Sequence, residues 1–414
     1  MAAATAPNAP SMNAASDKDP FNNNCYGTLV DREYKSVATK TQFNLPMLDV
    51  SDFNERIIRG YEEGYGEKDL PADLTTARSL IPAGTASLRD FSYISPEIPE
   101  YIPSNCTGCM DCVTECPDTA ILGKVLGEDE LAVKIQSIPE EDRAMYAEQW
   151  SKTKKYYDGP AKKTGDGGMF NIIIDPSKCK GCAECVTVCD DNALKMIQKT
   201  DEVMLKSRKS HRIFKNIGPS NEKYISGNLL IDMMLKESTH IYTGGAGSCA
   251  GCGEGTALRM LCAATGNKYG EQWGIVAATG CNTVYTSTYP YNPYMVPWTN
   301  SLFENAPTYA IGVRMKWDQM GWKEKPLWVV GGDGAMFDIG FQALSRLFAS
   351  GMNIKVFVLD TQVYSNTGGQ ASTASFTGQN TKMSVHGKAI FGKQERRKEI
   401  AQIAMMHPRT YVAQ

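Results

Sequence analysis

Eight of the thirteen cysteines in this 414-residue chain fall in two copies of one spacing, and no other feature narrows the possible folds so far. Cys106, Cys109, Cys112 and Cys116, followed by Pro117, read CxxCxxCxxxCP; Cys179, Cys182, Cys185 and Cys189 repeat the run, with Asp190 where proline stood. Three thiolates on so tight a loop can cap three corners of an iron–sulfur cubane, while the fourth, one helical turn on, reaches the neighbouring cubane. The spacing therefore predicts two 4Fe-4S clusters with crossed ligation. Cys106, Cys109, Cys112 and Cys189 hold one, and Cys179, Cys182, Cys185 and Cys116 hold the other. Zinc is the alternative, because CxxC pairs also bind it, but zinc takes its ligands in pairs and leaves two identical runs of four poorly explained. Small apolar residues around the runs (Val113, Ala120, Ile121, Ala183, Val186) suit a compact wrap of sheet and helix.

The charge balance, 43 basic against 46 acidic residues, gives no reason to expect nucleic acid or an anionic membrane as a partner. No apolar run approaches the roughly 20 residues that cross a bilayer. The opening MAAATAPNAPSMNAAS has neither a basic n-region nor an apolar h-region, nor an arginine, so residues 1–40 are expected to be a disordered tail of a cytoplasmic protein, with Cys25 an incidental thiol. Without a secretory signal, clustered cysteines point to metal rather than disulfides.

A second stretch, Pro326 to Gln370, reads as a strand–turn–helix–strand unit. Leu327 to Val330 is a short apolar run ending at a glycine pair. Met336, Phe337, Ile339, Leu344, Leu347 and Phe348 then recur at roughly helical spacing, and Ile354 to Leu359 is a second strand. The turn after the first strand aims backbone N–H groups and a helix dipole at whatever lies above it, which favours a phosphate. Asp333 sits there, and a carboxylate beside a phosphate needs a divalent cation such as Mg²⁺ between them. The second strand ends in Asp360, Thr361 and Gln362 at the same crevice, where open α/β sheets bind ligands. By itself a GDG turn is common on surfaces.

Taken with TQVYSNTGGQ, whose threonine follows the aspartate by 28 residues, this GDG resembles the thiamine diphosphate (TPP) site of the 2-oxoacid:ferredoxin oxidoreductases, and YSNTGGQ is most similar to the pyruvate enzymes. The resemblance implies that Asp333, Thr361 and the carbonyl of Val363 hold Mg²⁺. It implies that Gly332, Asp333, Gly334 and Ala335, with Thr361, Gln362, Val363, Tyr364, Ser365 and Asn366, line the diphosphate and thiazolium, and that Asn366 faces the substrate. The run TGGAGSCAGCGEGTALRMLCAATG carries Cys249 and Cys252, and GIVAATGCNTVY carries Cys281. In the family these three hold a third 4Fe-4S cluster, and Glu254 and Cys281 touch the cofactor. The family's fourth ligand to that cluster lies beyond the point matching Tyr411 to Gln414, so a third cluster is expected only if that ligand is supplied. Cys262, on an apolar helix face with Leu258 and Leu261, reads as a core thiol.

Elsewhere the signals are weaker. Residues 41–105 read as an extended linker, in which LPADLTTARSLIPAGTAS loosely resembles the family's approach to its ferredoxin domain. The stretch 117–178 reads as a long insertion whose GDGG at Gly165–Gly168 is a turn. Residues 201–240 read as charged linker and helix, with Lys206, Arg208, Lys209, His211 and Arg212 a solvated face; a docking patch for an acidic ferredoxin or coenzyme A is the weaker reading. The Tyr- and Pro-rich run from Tyr285 to Phe303 is equally an aromatic wall near substrate or a packed loop. HGKAIFGKQERRKEIAQIAMMH reads as a helix with Ile400, Ile403 and Ala404 on its apolar face.

The expected fold is thus an α+β dicluster bacterial-ferredoxin domain over 106–200, followed by an α/β TPP-binding domain with a doubly wound parallel sheet over 241–414, ending early relative to the family. The resemblance, which covers about Gly60 to Gln414, implies the β-type part of a 2-oxoacid:ferredoxin oxidoreductase, with pyruvate the first choice of substrate. Such an enzyme carries out TPP-dependent oxidative decarboxylation with coenzyme A to acetyl-CoA and CO₂, with electrons leaving through the clusters to ferredoxin. A carbanion-stabilising cofactor beside clusters of about −400 mV fits single-electron transfer. An electron-transfer module of another TPP enzyme, acting on 2-oxoglutarate or a different 2-oxoacid, is the alternative. The expected partners are an α-type subunit or N-terminal half bringing the aminopyrimidine glutamate and the substrate arginine, a ferredoxin or flavodoxin, and further copies in a higher oligomer.

Overall fold

The computed structural model describes residues 50–69, 80–227, 229–244, 247–286 and 288–414. The expected tail with Cys25, and the first part of LPADLTTARSLIPAGTAS, lie outside them. The N-terminal unit contains β1 (Glu97–Tyr101), α1 (Asp111–Glu115), β2 (Ile121–Gly127), α2 (Glu128–Gln136), α3 (Glu140–Ala147), β3 (Ser151–Lys152), β4 (Gly168–Ile174), α4 (Glu184–Thr187), β5 (Leu194–Gln198) and α5 (Asp201–Asn216). Each cysteine run lies between two strands, β1 and β2 for the first and β4 and β5 for the second. The strands then pair across the repeat: β1 is antiparallel to β5 and β2 to β4, from Ile121 opposite Ile174 to Gly127 opposite Gly168.

Two expectations about this part are refined. The stretch 117–178 is no loose insertion, because its two ends are the paired strands β2 and β4, and only the segment between them is added. GDGG is a turn as expected: Gly165 takes φ +76° beyond a short helix, and β4 begins at Gly168. The segment 201–240 contains the expected helix and packs on the core. Helix α5, capped by the Thr200 hydroxyl accepting from the Val203 N–H, buries Ile213 and Phe214, and Met234 and Leu235 join the core around the cysteine runs. Its basic residues are partly paired, Lys209 with Asp142 at 2.9 Å and Arg208 with Asp90 at 3.4 Å. The described part of 41–105 also packs: Phe53, Ile57 and Ile58 form a cluster with Tyr289 and Tyr291.

The C-terminal unit comprises α6 (Gly253–Tyr269), β6 (Gly274–Ala278), α7 (Cys281–Thr286), β7 (Trp298–Ser301), α8 (Ala306–Gln319), β8 (Leu327–Gly332), α9 (Phe341–Ser350) and β9 (Lys355–Leu359). All four strands are parallel, in the order β7-β6-β8-β9. Alternate residues of the buried strands face opposite cores, as a period of two requires. Ile275 and Val330 pack with Leu258, Cys262 and Tyr285 on one face, and Val276 and Val329 pack with Ala306, Ala310 and Leu344 on the other. Helices on both faces make the sheet doubly wound. The chain leaves β6 toward β7 on one side and returns by α8 to β8 on the other, so the order reverses between β6 and β8, the switch point where such sheets bind ligands.

The 386–407 run is helical only at α10 (Ile400–Met405); before it, Phe391–Gly392 pairs with Val385–His386, and Gly392 sits at φ +77°. Glycine in that left-handed conformation cannot continue a right-handed helix. The aromatic run from Tyr285 packs as a loop: Tyr294 meets Tyr242 and Trp298 at centroid distances of 5.7 Å each.

Candidate functional site

The two cysteine runs adopt one conformation twice. Gly108 and Gly181 have φ of +81° and +68°, Met110 and Ala183 of +75° and +64°, Thr119 and Asn192 of +56° and +52°. The Ala120 N–H donates to Cys116 Sγ, and the Ala193 N–H to Cys189 Sγ, at 3.2 Å in both. Repeated left-handed residues turn successive amides toward one side, a geometry that suits an anionic group. The structure sorts the eight thiols into two cavities. Cys106, Cys109, Cys112 and Cys189 line one with Tyr101 and Leu194; Cys116, Cys179, Cys182 and Cys185 line another. Two pockets, each walled by three cysteines of one run and the last cysteine of the other, suit two like groups. Burial pushes the Cys112 thiol well above its ordinary value and that of Cys179 up to about 12. The displaced protons are then the first cost that bound iron must meet.

The remaining candidates meet at the carboxyl ends of β6 and β8. Asp333 follows β8 directly and opens a wide helical turn, Gly334–Ile339, that leads into α9. Its Oδ1 accepts from the Thr361 N–H at 2.9 Å and its Oδ2 from the Ser372 hydroxyl at 3.2 Å. Thr361 Oγ1 lies 3.1 Å from the Val363 carbonyl and 2.5 Å from Ser365 Oγ. Asp333, Thr361 and Val363 thus gather around one point. Burial, aided by Asp360, pushes the Asp333 carboxyl up to about 7. A buried carboxylate with so little compensation is what an added cation relieves. Tyr364 covers Gly334, where a Cβ would lie 3.4 Å from its ring, and its hydroxyl donates to Asp338 at 2.6 Å. Gln362 is held in a left-handed conformation, φ +64°, with its carbonyl accepting from Ser375. Asn366 is exposed on the turn between β10 (Val363–Tyr364) and β11 (Gln370–Ala371).

Glu254, in the first turn of α6, is pushed up to about 7 by burial and by Asp333, and the Tyr285 hydroxyl lies 3.5 Å from its Oε2. Cys281 begins α7 at the end of β6. Its thiol is pushed up to about 12 by burial first, then by Glu254, Cys252 and Cys249. The three cysteines of the expected third cluster therefore share one region with Glu254 and Asp333. Cys262 is fully buried among Leu258, Trp273 and Ile275, a core thiol.

The glycine-rich turn carrying Cys249 and Cys252 lies against the second cysteine run. Lys180 pairs with Asp118 at 2.9 Å, both buried, and donates to the carbonyl of Ser248 at 3.1 Å; Ser248 donates to Asp118 at 2.9 Å. The Thr256 hydroxyl donates to the Glu115 carbonyl at 3.0 Å, and a Cβ on Gly255 would stand 3.2 Å from Pro117. Sequence reasoning placed Asp360 at the crevice but missed Ser372 there, and it missed Lys180, Asp118 and Arg259 at the joint between the units. Only Arg259 carried a signal, as a lone charge on the apolar helix TALRMLCAA.

Residues 278–412 match the family described as thiamine pyrophosphate enzyme, C-terminal TPP binding domain, and residues 172–195 match the 4Fe-4S binding domain. The chain thus joins an iron–sulfur domain to the C-terminal domain of a TPP enzyme. That pairing places it beside the ferredoxin-domain and TPP-binding part of the pyruvate:ferredoxin oxidoreductases, as expected. It is 26% identical to a pyruvate-flavodoxin oxidoreductase of Nostoc over 83% of this chain and 33% of that protein. The corresponding values for the pyruvate:ferredoxin oxidoreductase of Moorella thermoacetica are 25%, 87% and 35%. For the mitochondrial NADP(+) pyruvate dehydrogenase of Euglena gracilis they are 27%, 87% and 22%. The chain spans about a third or less of the length of these relatives. A solved 2-oxoglutarate:ferredoxin oxidoreductase from Magnetococcus marinus aligns over 33% of this chain and 42% of that one, at 20% identity and a TM-score of 0.26, too loose a likeness to carry an argument. Among the described residues no helix is long and apolar enough to cross a membrane.

Proposed function

We propose that this chain is the electron-carrying and TPP-binding part of a 2-oxoacid oxidoreductase, with pyruvate as the substrate and coenzyme A as the acyl acceptor. The observation that carries the reading is a juxtaposition. The cavity walled by Cys116, Cys179, Cys182 and Cys185 abuts the Cys249–Cys252 turn, and that turn leads into the Asp333 site. A site that generates electrons at the sheet's switch point would thus have two consecutive acceptors within one fold.

In this reading Cys106, Cys109, Cys112 and Cys189, and Cys116, Cys179, Cys182 and Cys185, hold two 4Fe-4S clusters. Cys249, Cys252 and Cys281 contribute to a third when a fourth ligand is supplied. Asp333, Thr361 and the Val363 carbonyl hold Mg²⁺ and through it the diphosphate. When bound, TPP supplies the electron sink for decarboxylation. Around it, Gly332, Gly334 and Ala335 leave room for the diphosphate, Tyr364 walls the turn, and Ser365 steadies Thr361. Glu254 and Cys281 flank the cofactor, and Asn366 faces the substrate. The aminopyrimidine glutamate and the grip on the substrate carboxylate would come from an α-type subunit or N-terminal half. The electrons would pass to a ferredoxin or flavodoxin, in a higher oligomer working in the cytoplasm. The division that supports this is an iron–sulfur unit extending from β1 through residue 240 and a TPP unit over 241–414.

The test is iron and acid-labile sulfide per chain on anaerobically purified protein, with low-temperature EPR after dithionite and calorimetric titration with Mg²⁺ and TPP. About eight irons, or about twelve with a complete third cluster, and saturable Mg²⁺-dependent TPP binding are expected. Zinc in place of iron would overturn the redox reading. Iron without TPP binding would reduce the chain to an electron carrier.

A further inference from the structure

Arg259 occupies a place that the proposed function does not explain. It is the one charged residue on the buried face of α6, in the TPP unit, and only 5% of its surface is exposed. Its guanidinium reaches into the iron–sulfur unit. Nη1 donates to the Val113 carbonyl and, at 2.9 Å, to the Cys116 carbonyl; Nη2 donates to the Ile121 carbonyl at 3.1 Å. These are the last turn of α1 and the loop that carries a cysteine of the second cavity.

A guanidinium stays protonated in any protein environment. Carbonyls satisfy its N–H groups but cancel none of its charge, and an uncompensated buried charge costs several kcal/mol. Among the described residues no carboxylate lies within 4 Å of it. Asp118 acts on it electrostatically but is bonded to Lys180 and Ser248. The carbonyls it binds belong to Val113, next in the chain to Cys112 of the first cavity, and to Cys116, which lines the second. A cubane held by four thiolates is an anion, and reducing it by one electron adds a negative charge.

We infer that Arg259 is the fixed counter-charge of the iron–sulfur centres and tunes their potential. It stabilises the reduced state of the cluster bound through Cys116 most, so that electron acceptance from the TPP side is favoured across the joint it spans. This rests on the cluster reading proposed above, and the experiment separates the two.

The experiment is an EPR-monitored redox titration of the full chain with its clusters assembled, comparing parent, Arg259→Lys and Arg259→Gln, each with iron per chain measured first. Glutamine can still donate to one or two of the carbonyls but carries no charge; lysine keeps the charge and loses the fork. At least one reduction step of Arg259→Gln is expected to fall to a more negative potential by threefold or more in its equilibrium constant. That is about 28 mV for a one-electron step at 59 mV per tenfold. Arg259→Lys is expected to stay within twofold of the parent. Unchanged potentials in Arg259→Gln, or an equal drop in Arg259→Lys, would overturn the inference, because the residue would then only position the loop. If Arg259→Gln loses a cluster that Arg259→Lys retains, the charge requirement stands; loss from both variants overturns it. A parent chain without iron defeats the cluster reading itself.

Discussion

Replacing Asp333 by asparagine tests the cation site through stability, where binding and folding pull in opposite directions. The side chain is almost fully buried and its carboxyl is pushed from 3.8 up to about 7, chiefly by burial and then by Asp360. Raising the carboxyl that far corresponds to roughly 4 kcal/mol between the two protonation states. The sign follows from proton counting. Between pH 4 and 7 the folded chain holds a proton that the unfolded chain has released, so stability falls as pH rises through this window and levels off above it. The asparagine side chain keeps the acceptor for the Thr361 N–H, and its amide can donate to the Ser372 oxygen, but it has no charge to bury. In the absence of ligand, Asp333→Asn should exceed the parent by only about 1 kcal/mol near pH 4.5 and by up to about 4 kcal/mol above pH 7, a rise of several degrees in Tm. With Mg²⁺ and TPP at a hundred times Kd the parent gains about 2.7 kcal/mol, and the variant should gain almost nothing. The assay is thermal unfolding by circular dichroism at both pH values, with and without Mg²⁺ and TPP. A variant-minus-parent difference independent of pH would refute the burial argument, and an intact ligand increment would refute the cation site.

The crossed pairing of the cysteines can be counted. Cys112→Ser combined with Cys189→Ser should remove about four irons, because both line one cavity, whereas Cys112→Ser combined with Cys116→Ser should remove about eight. Gly340→Ala would drive a methyl group into the Ala335 carbonyl and within 2.6 Å of the Phe303 carbonyl. It should cost about 1–3 kcal/mol and weaken TPP binding with it, read as lower Tm and higher Kd. Arg314 is fully buried and donates to the carbonyls of Trp322 at 2.6 Å and Lys325 at 2.8 Å. Arg314→Met should lower stability by about 2–4 kcal/mol, with iron per chain unchanged in the folded protein.

How much was legible depended on whether the information was local. The cubane spacing is a property of one loop and its following turn, so the expected grouping of the eight cysteines could be written from the chain alone, and the same two sets of four line the two pockets. The strand–turn–helix–strand unit was also legible, because β8, Asp333, α9 and β9 are contiguous and their apolar spacing is regular. What failed was anything fixed by distant partners. Residues 201–240 look solvated by composition, yet Ile213, Phe214 and Leu235 find apolar partners in β2 and α1 that no local pattern announces. The expected C-terminal helix shrank to α10 because Gly392 and a strand pairing took its first half.

The same division holds at the site. Spacing along the chain was enough to group the thiols in sets of four, to pick out a carboxylate at a phosphate-favouring turn and to expect the parallel sheet that is found. The tertiary structure alone buries Asp333 and sets Asp360 beside it, which together raise its carboxyl, with the Thr361 N–H and the Ser372 hydroxyl opposing them. Only it showed that Lys180, Asp118 and Ser248 fasten the Cys249–Cys252 turn to the second cysteine run, and that a single arginine of one unit is buried in the other. Those effects depend on Coulomb forces and desolvation acting over a few ångströms between residues as many as 146 positions apart, and distance in space is the one quantity that spacing along a chain does not contain.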